Sequence, residues 1–175
     1  MAGDRRSVGL AAPSRDRVEA EIQRMSRHLI GLSTAMRMRM STGLLERGHD
    51  LRPSTAQVIP NLPEEGLRMS ELATRLRLTL QRTGQLVGEL EEVGYVERIP
   101  DPTDGRARMV VFSPRGLELI HDIDEITLEI TGEFAGHLGR ERFETLCTLL
   151  SELDVSVNGA DAPVRVLAQA GEPKR

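Results

Sequence analysis

The sequence predicts a mainly α-helical fold with one small β-hairpin, which places the chain in the α+β class. Two observations predict this fold. Apolar residues recur at spacings of three and four over long stretches of the 175 residues, as they do along one face of an amphipathic helix. Between two such stretches, two runs rich in β-branched residues flank a turn that contains Pro and Gly, which is the pattern of a hairpin.

A long first helix is predicted over residues 16–46, after a loose, Pro-containing arm over residues 1–14. Its apolar seam repeats like a heptad, which is typical of a helix that packs on another helix; the seam consists of Val18, Ile22, Met25, Leu29, Leu32 and Met36. Because Met adapts its shape, Met25, Met36 and Met40 are candidates for a pocket that binds a small phenolic or other apolar ligand. The alternative is that they fill a core or a dimer interface.

Prolines shape the segment that follows. Pro53 suits the first position of a short helix. Pro60 should end or kink that helix early, because proline lacks the N–H group that a helix uses. With Pro63 and Gly66, the segment is expected to form a stiff, irregular elbow.

Residues 70–93 predict two helices joined by a three-residue connection, which is a helix-turn-helix. Ser70 is expected to cap the first helix, which ends at residue 76. Thr79 is expected to cap the second, which spans residues 80–93 and stops at Gly94. The second helix is the candidate recognition helix, and its buried face is predicted to consist of Thr83, Leu86, Val87, Leu90 and Val93.

The polar side chains of this second helix are unevenly distributed. The hydrogen-bond donors lie in the first half of the helix and are Gln81, Arg82 and Gln85. The acidic side chains lie in the second half and are Glu89, Glu91 and Glu92. Because acidic groups repel phosphate, the N-terminal half is the part expected to enter a DNA major groove. Gly84 and Gly88 follow on roughly the same face as Gln81. They either let the backbone approach the groove closely or are tolerated surface glycines.

The hairpin is predicted over residues 95–99 and 107–112, with residues 100–105 as the turn. Arg106 and Arg108 are two residues apart and therefore share one face of the returning strand. Arginines near such a tip suit the narrow, electronegative minor groove of DNA. The alternative is a pair of ordinary solvated arginines. A hairpin after a helix-turn-helix completes a winged helix-turn-helix.

Two further helices are predicted after the hairpin. Ser113 and Pro114 start the first, and Gly136 and Gly139 are expected to break it near residue 138. The second spans residues 140–154, and a disordered tail is expected over residues 156–175. The apolar stripes of these helices exceed what a small wing-containing core needs. The sequence therefore predicts a DNA-binding domain over residues 51–113 and a helical dimerisation region over residues 15–50 and 114–155.

The segments SELA, LQRTGQLVGELEEVGYVER and DPTDGRARMVVFSPRG together resemble the winged helix-turn-helix of MarR-type transcriptional regulators over about fifty residues. Gly105 stands where that family frequently has a wing arginine. The resemblance implies a homodimer that binds a pseudo-palindromic operator on double-stranded DNA, usually as a repressor relieved by a ligand or an oxidant. The residues expected to contact DNA are then Thr79, Gln81, Arg82, Thr83, Gln85, Arg106 and Arg108.

A net charge of −4 is unusual for a DNA-binding protein. The charged residues are, however, unevenly distributed along the chain. Residues 1–39 carry eight Arg and four acidic side chains, whereas residues 114–155 carry three Arg and ten acidic side chains. Residues 67–113 carry seven of each, so they are neutral. Binding must therefore depend on a few placed residues rather than on bulk charge.

Other functions are not indicated by the sequence. Phosphate-binding, nucleophile-elbow and metal-ligand motifs are missing, so we expect neither an enzyme nor a cofactor nor a metal site. There is no apolar run long enough for a membrane span and no secretory signal, which predicts a cytoplasmic protein. The remaining alternative is a dimeric winged-helix module that binds protein instead of DNA.

The single cysteine and the four histidines are expected to be inert. Cys147 falls near the apolar face of the last helix, which predicts a buried thiol rather than a redox sensor. The histidines at positions 28, 49, 121 and 137 lack metal-ligand spacing, so we expect them to be solvated or part of the core.

Overall fold

The computed structural model describes residues 14–105 and 107–159. Six α-helices and three strands occur in these ranges: α1 (Arg15–Glu46), α2 (Pro53–Ala56), β1 (Leu67–Arg68), α3 (Met69–Leu76), α4 (Leu80–Glu92), β2 (Val96–Pro100), β3 (Arg108–Phe112), α5 (Pro114–Leu138) and α6 (Arg140–Asn158). A 3-10 turn, Ile59–Asn61, lies between α2 and β1. The mainly helical α+β class predicted from the sequence is confirmed. None of these helices is long and apolar enough to cross a membrane.

The chain divides into two compact units between Met38 and Arg39, within α1. In the first unit, the described residues are helical except for Ser14, and the large apolar side chains of the predicted seam are exposed. Ile22 is 54% exposed and Leu32 is 46% exposed. This exposure fits a seam that packs on a partner, but the predicted dimerisation role stays a prediction.

The core of the second unit lies between the end of α1, the segment that follows α2, α3, α4, the sheet and α5. Leu72, Leu86, Leu90, Tyr95 and Leu119 are almost completely buried there. On α4, the predicted buried face is correct for Thr83, Leu86, Val87 and Leu90. It is wrong for Val93, which is 46% exposed because α4 ends at Glu92 and Val93 lies past its last turn.

The sheet is antiparallel with strand order β1-β3-β2. The predicted hairpin is present as β2 and β3, with Val96 opposite Phe112 and Pro100 opposite Arg108. The sequence did not predict β1, in which Leu67 and Arg68 pair with Val110 and Met109. A two-residue strand is too short to show an alternating pattern.

The ends of the helices are mostly where the capping residues place them. The hydroxyl of Thr79 accepts a hydrogen bond from the N–H group of Arg82, at 3.2 Å, and the hydroxyl of Ser113 accepts one from Gly116, at 3.0 Å. Ser70 does not cap α3, because that helix begins one residue earlier, after Arg68. The Glu71 carboxylate instead accepts from the N–H group of Arg68, at 3.2 Å.

Two predictions near the C-terminus are wrong. Gly136 does not break α5, which continues through it to Leu138 and ends before Gly139. α6 extends to Asn158 rather than to residue 154, so the tail predicted from residue 156 does not begin there. Residues 160–175, like residues 1–13, lie outside the described residues. The early end predicted for the Pro53 helix is observed, since α2 stops at Ala56 before Pro60.

Candidate DNA-binding surface

The first half of α4 presents three polar side chains to solvent. Gln81, Arg82 and Gln85 are all exposed, as predicted, and Arg82 donates a hydrogen bond to the side-chain oxygen of Gln85 at 3.3 Å. Leu86 and Leu90, at the next turns, are fully buried and fix the opposite face of the helix. Buried packing on one side therefore holds a group of hydrogen-bond donors on the other.

Thr83 corrects one of the predicted DNA contacts. Its side chain is completely buried, and its hydroxyl has no hydrogen-bond partner among the described residues. A phosphate outside the protein cannot be reached from this position. Thr79, by contrast, is exposed at the start of α4, where its hydroxyl already caps the helix.

The acidic second half of α4 is partly paired with arginines. Glu89 lies 3.7 Å from the guanidinium of Arg52, and Glu91 lies 3.4 Å from that of Arg98. Surface ion pairs contribute little to stability, but they reduce the negative charge beside the exposed donors. The negative charge predicted for the second half of α4 is thus partly balanced by Arg52, which immediately precedes α2, and by Arg98 of β2.

The turn of the wing is built around Asp101, which the sequence did not single out. This carboxylate is buried and accepts hydrogen bonds from Nε of Arg68 at 2.5 Å, from both the N–H and the hydroxyl of Thr103 at 2.7 Å, and from the N–H of Asp104 at 3.2 Å. Chiefly the Arg68 bond, and then the bonds from Thr103, hold the pKa of Asp101 well below its usual range. Asp101 in turn raises the pKa of Arg68. The wing is therefore tied to the start of α3.

The two wing arginines differ in what the structure describes. Arg108 is exposed at the start of β3, opposite Pro100. Arg106 lies outside the described residues, so its minor-groove contact stays a prediction.

A buried polar junction lies behind this surface. His49, which follows α1, is buried; one ring nitrogen lies 3.1 Å from the hydroxyl of Tyr95 and the other 2.8 Å from the carboxylate of Asp122 on α5. The guanidinium of Arg115 stacks on the Tyr95 ring, 4.9 Å from its centroid. His49 was expected to be either solvated or part of the core, and the structure places it in the core. Its partners are too distant in sequence to have been foreseen.

The remaining candidates are scattered. Met25 and Met36 are about half exposed, and Met40 is partly buried against the core of the second unit, so the predicted ligand pocket stays untested. Cys147 is exposed on α6, which corrects the expectation of a buried thiol. Its helix has no second layer of described residues to cover it, since α6 contains no buried residue. No group of His, Cys, Asp or Glu in residues 14–105 and 107–159 is placed to hold a metal ion.

Residues 49–107, which include α2, α3, α4 and β2, match the model of the MarR family. This part of the chain, about a third of the 175 residues, is similar to the MarR family. A putative transcriptional regulatory protein for the hcr operon of Thauera aromatica is 31% identical to the chain over 97 residues. That alignment spans 55% of this chain and 57% of the relative, so just over half of each protein is compared.

Two solved structures share the fold of this chain. Sco3205 of Streptomyces coelicolor, a MarR family transcriptional regulator in complex with DNA, is similar with a TM-score of 0.59 and 21% identity, covering 82% of this chain and 93% of that one. MepR of S. aureus, bound to ethidium bromide, gives a TM-score of 0.56 and 20% identity, covering 75% and 95%. At these identities the similarity shows the fold alone.

Proposed function

We propose that the protein is a transcriptional regulator that binds double-stranded DNA sequence-specifically as a homodimer. The observation that carries this proposal is the exposed group of Gln81, Arg82 and Gln85, held outward by the buried face of α4. The MarR-type domain and the DNA complex of Sco3205 support it. Because DNA is the target, we infer that the protein works in the cytoplasm.

The first half of α4 would lie in a major groove. Gln85 and Gln81 can pair with the N6 and N7 edge of adenine, and Arg82 with guanine, which are favourable bidentate contacts. Thr79 would lie near a phosphate at the start of the helix, and Thr83 would not contact DNA at all. Arg106 and Arg108 of the wing would contact the flanking minor groove.

The dimer would set the distance between two copies of α4. We infer that the exposed apolar side chains of α6 contribute to it, among them Leu149 and Leu153, which are 58% and 47% exposed. Two half-sites about one helical turn apart would then form a pseudo-palindromic operator. The protein would act as a repressor that is released when a small apolar ligand changes this distance. MepR, solved with bound ethidium bromide, supports a site for an organic ligand in a protein of this fold.

Selection of binding sites from random double-stranded DNA tests the proposal. The expected result is an enriched inverted repeat. Gln85→Ala should change preference at one base pair by about 1–3 kcal/mol, while Gln23→Ala on α1 serves as the control and leaves it unchanged. No enrichment, together with binding that is independent of salt concentration, would refute DNA recognition.

A further inference from the structure

Arg98 extends from β2, a strand of the wing, onto the backbone of α4. Its Nη2 atom donates a hydrogen bond to the carbonyl oxygen of Gly84 at 3.0 Å, and its Nη1 atom lies 3.4 Å from the carboxylate of Glu91. The side chain is about one-third exposed. One guanidinium thus contacts two points of α4 that are nearly two turns apart.

Gly88 leaves room for this contact. In a helix, the Gly84 carbonyl accepts from the N–H group of residue 88, and its second lone pair remains available to another donor. A Cβ atom at Gly88 would lie 3.7 Å from Nη2 of Arg98, which is ordinary contact, so any longer side chain there would compete with the guanidinium for space. The lack of a side chain at Gly88 therefore leaves space for the Arg98 side chain along α4.

The main effect of such a contact is on the geometry of the surface rather than on its stability. Partly exposed ion pairs add little to folding stability. A planar guanidinium that makes two contacts at once, however, restricts the angle between the strand and the helix more than a flexible ammonium does. Arg98 lies in β2, which continues to Pro100 before the wing turn, and its partner Gly84 precedes Gln85 in α4.

We propose that Arg98 is a positioning residue of the DNA-binding surface: it fixes the wing relative to α4 and pairs with Glu91, without itself contacting DNA. This inference rests on the proposed function of α4 and the wing. Both groups that contact DNA are then held in one arrangement before binding. A protein that has this arrangement before it binds loses less conformational entropy when it binds DNA.

Three variants in the full-length protein test the proposal: Arg98→Ala, Arg98→Lys, and Arg142→Ala as a control for loss of an exposed arginine on α6. Affinity for the selected DNA site is measured at several salt concentrations. We expect Arg98→Ala to weaken binding about tenfold and Arg98→Lys about threefold, since Lys keeps the charge but not the fork. The slope of log affinity against log salt should stay unchanged, because no phosphate contact is lost.

A distance measurement separates positioning from general damage. Spin labels at Pro102→Cys and Glu92→Cys, in a Cys147→Ser background with labelled chains diluted by unlabelled ones, report the distance between wing turn and α4. The distribution should be narrow with Arg98 and broader in both variants, with the thermal unfolding midpoint changed by only a few degrees. Unchanged affinity and distances in Arg98→Ala would overturn the inference, as would a salt slope reduced by about one contact. If the unsubstituted protein binds no DNA, the proposed function fails instead.

Discussion

At the scale of single residues, Thr83 is a position for which the sequence supports two opposite predictions, burial in the core and contact with DNA. Its spacing places it on the buried face of α4, while its hydroxyl suggests a polar contact. The structure decides for burial, since the side chain is fully enclosed and its hydroxyl has no partner among the described residues. A polar atom buried without a partner costs free energy that an isosteric methyl group does not.

Thr83→Val should therefore raise the free energy of unfolding by about 1 kcal/mol. The measurement is urea unfolding followed by circular dichroism. Thr127→Val on α5 is the matched control, because the exposed Thr127 hydroxyl donates to the Ile123 carbonyl at 2.7 Å and gains nothing from removal. DNA affinity should be unchanged by Thr83→Val. A clear loss of affinity would contradict this prediction and would indicate that Thr83 contacts a phosphate after all.

At the scale of elements, the wing depends on a carboxylate that stays ionised at low pH. Asp101 has a lower pKa in the folded chain than in the unfolded chain, chiefly because Arg68 donates to it. Such a group stabilises the fold fully above the unfolded pKa of about 4, and this stabilisation is lost as the pH falls below that value. The start of α3 and the wing turn should therefore loosen together in acid.

Asp101→Asn should lower both stability and DNA affinity at pH 7. The difference in unfolding free energy between variant and parent should shrink as the pH falls from 5 to 3, because in this range the unfolded parent takes up a proton at Asp101 while the folded parent keeps the carboxylate ionised. Chemical unfolding at a series of pH values measures this, with the exposed Asp124→Asn as control. A difference that stays constant with pH would show that the Arg68 ion pair is not responsible.

The junction of β2 and α5 is a second element-scale constraint. A Cβ atom at Gly116 would lie 2.0 Å from the backbone oxygen of Tyr95, far inside contact distance. Gly116→Ala should thus displace the start of α5 and cost about 1–3 kcal/mol of stability. Gly132→Ala, in the same helix with nothing within 4 Å, should be neutral or stabilise by up to about 1 kcal/mol. Thermal unfolding of the two variants compares them directly.

At the scale of the whole molecule, the sequence predicts what depends on neighbours along the chain and misses what depends on distant ones. Thr79 and Gly94 bracket α4 locally, and Ser113 starts α5, so those boundaries could be predicted. The contacts of Arg98 with Gly84 and of His49 with Asp122 join residues 14 and 73 positions apart, and no periodicity encodes them. Cys147 was misplaced because an amphipathic pattern marks an apolar face without saying what covers it.

The apolar face of α6 raises the last prediction, which concerns assembly. No residue of α6 is buried in the single chain, yet Leu149, Leu150 and Leu153 repeat at helical spacing. A contiguous exposed apolar patch of this kind is typical of an interface. If a second copy covers it, the spacing of the two DNA-binding surfaces depends on this helix.

The double variant Leu149→Glu with Leu153→Glu should therefore be monomeric, because covering a charged side chain at an interface costs more than the apolar contact gains. Each monomer retains one DNA-binding surface, so affinity for the inverted repeat should fall by about a hundredfold or more through loss of the linked second contact. Sedimentation velocity and gel shifts measure the two effects, and Leu149→Met with Leu153→Met, which keeps the face apolar, should remain dimeric. A glutamate variant that stays dimeric and binds DNA with full affinity would assign the interface to other helices.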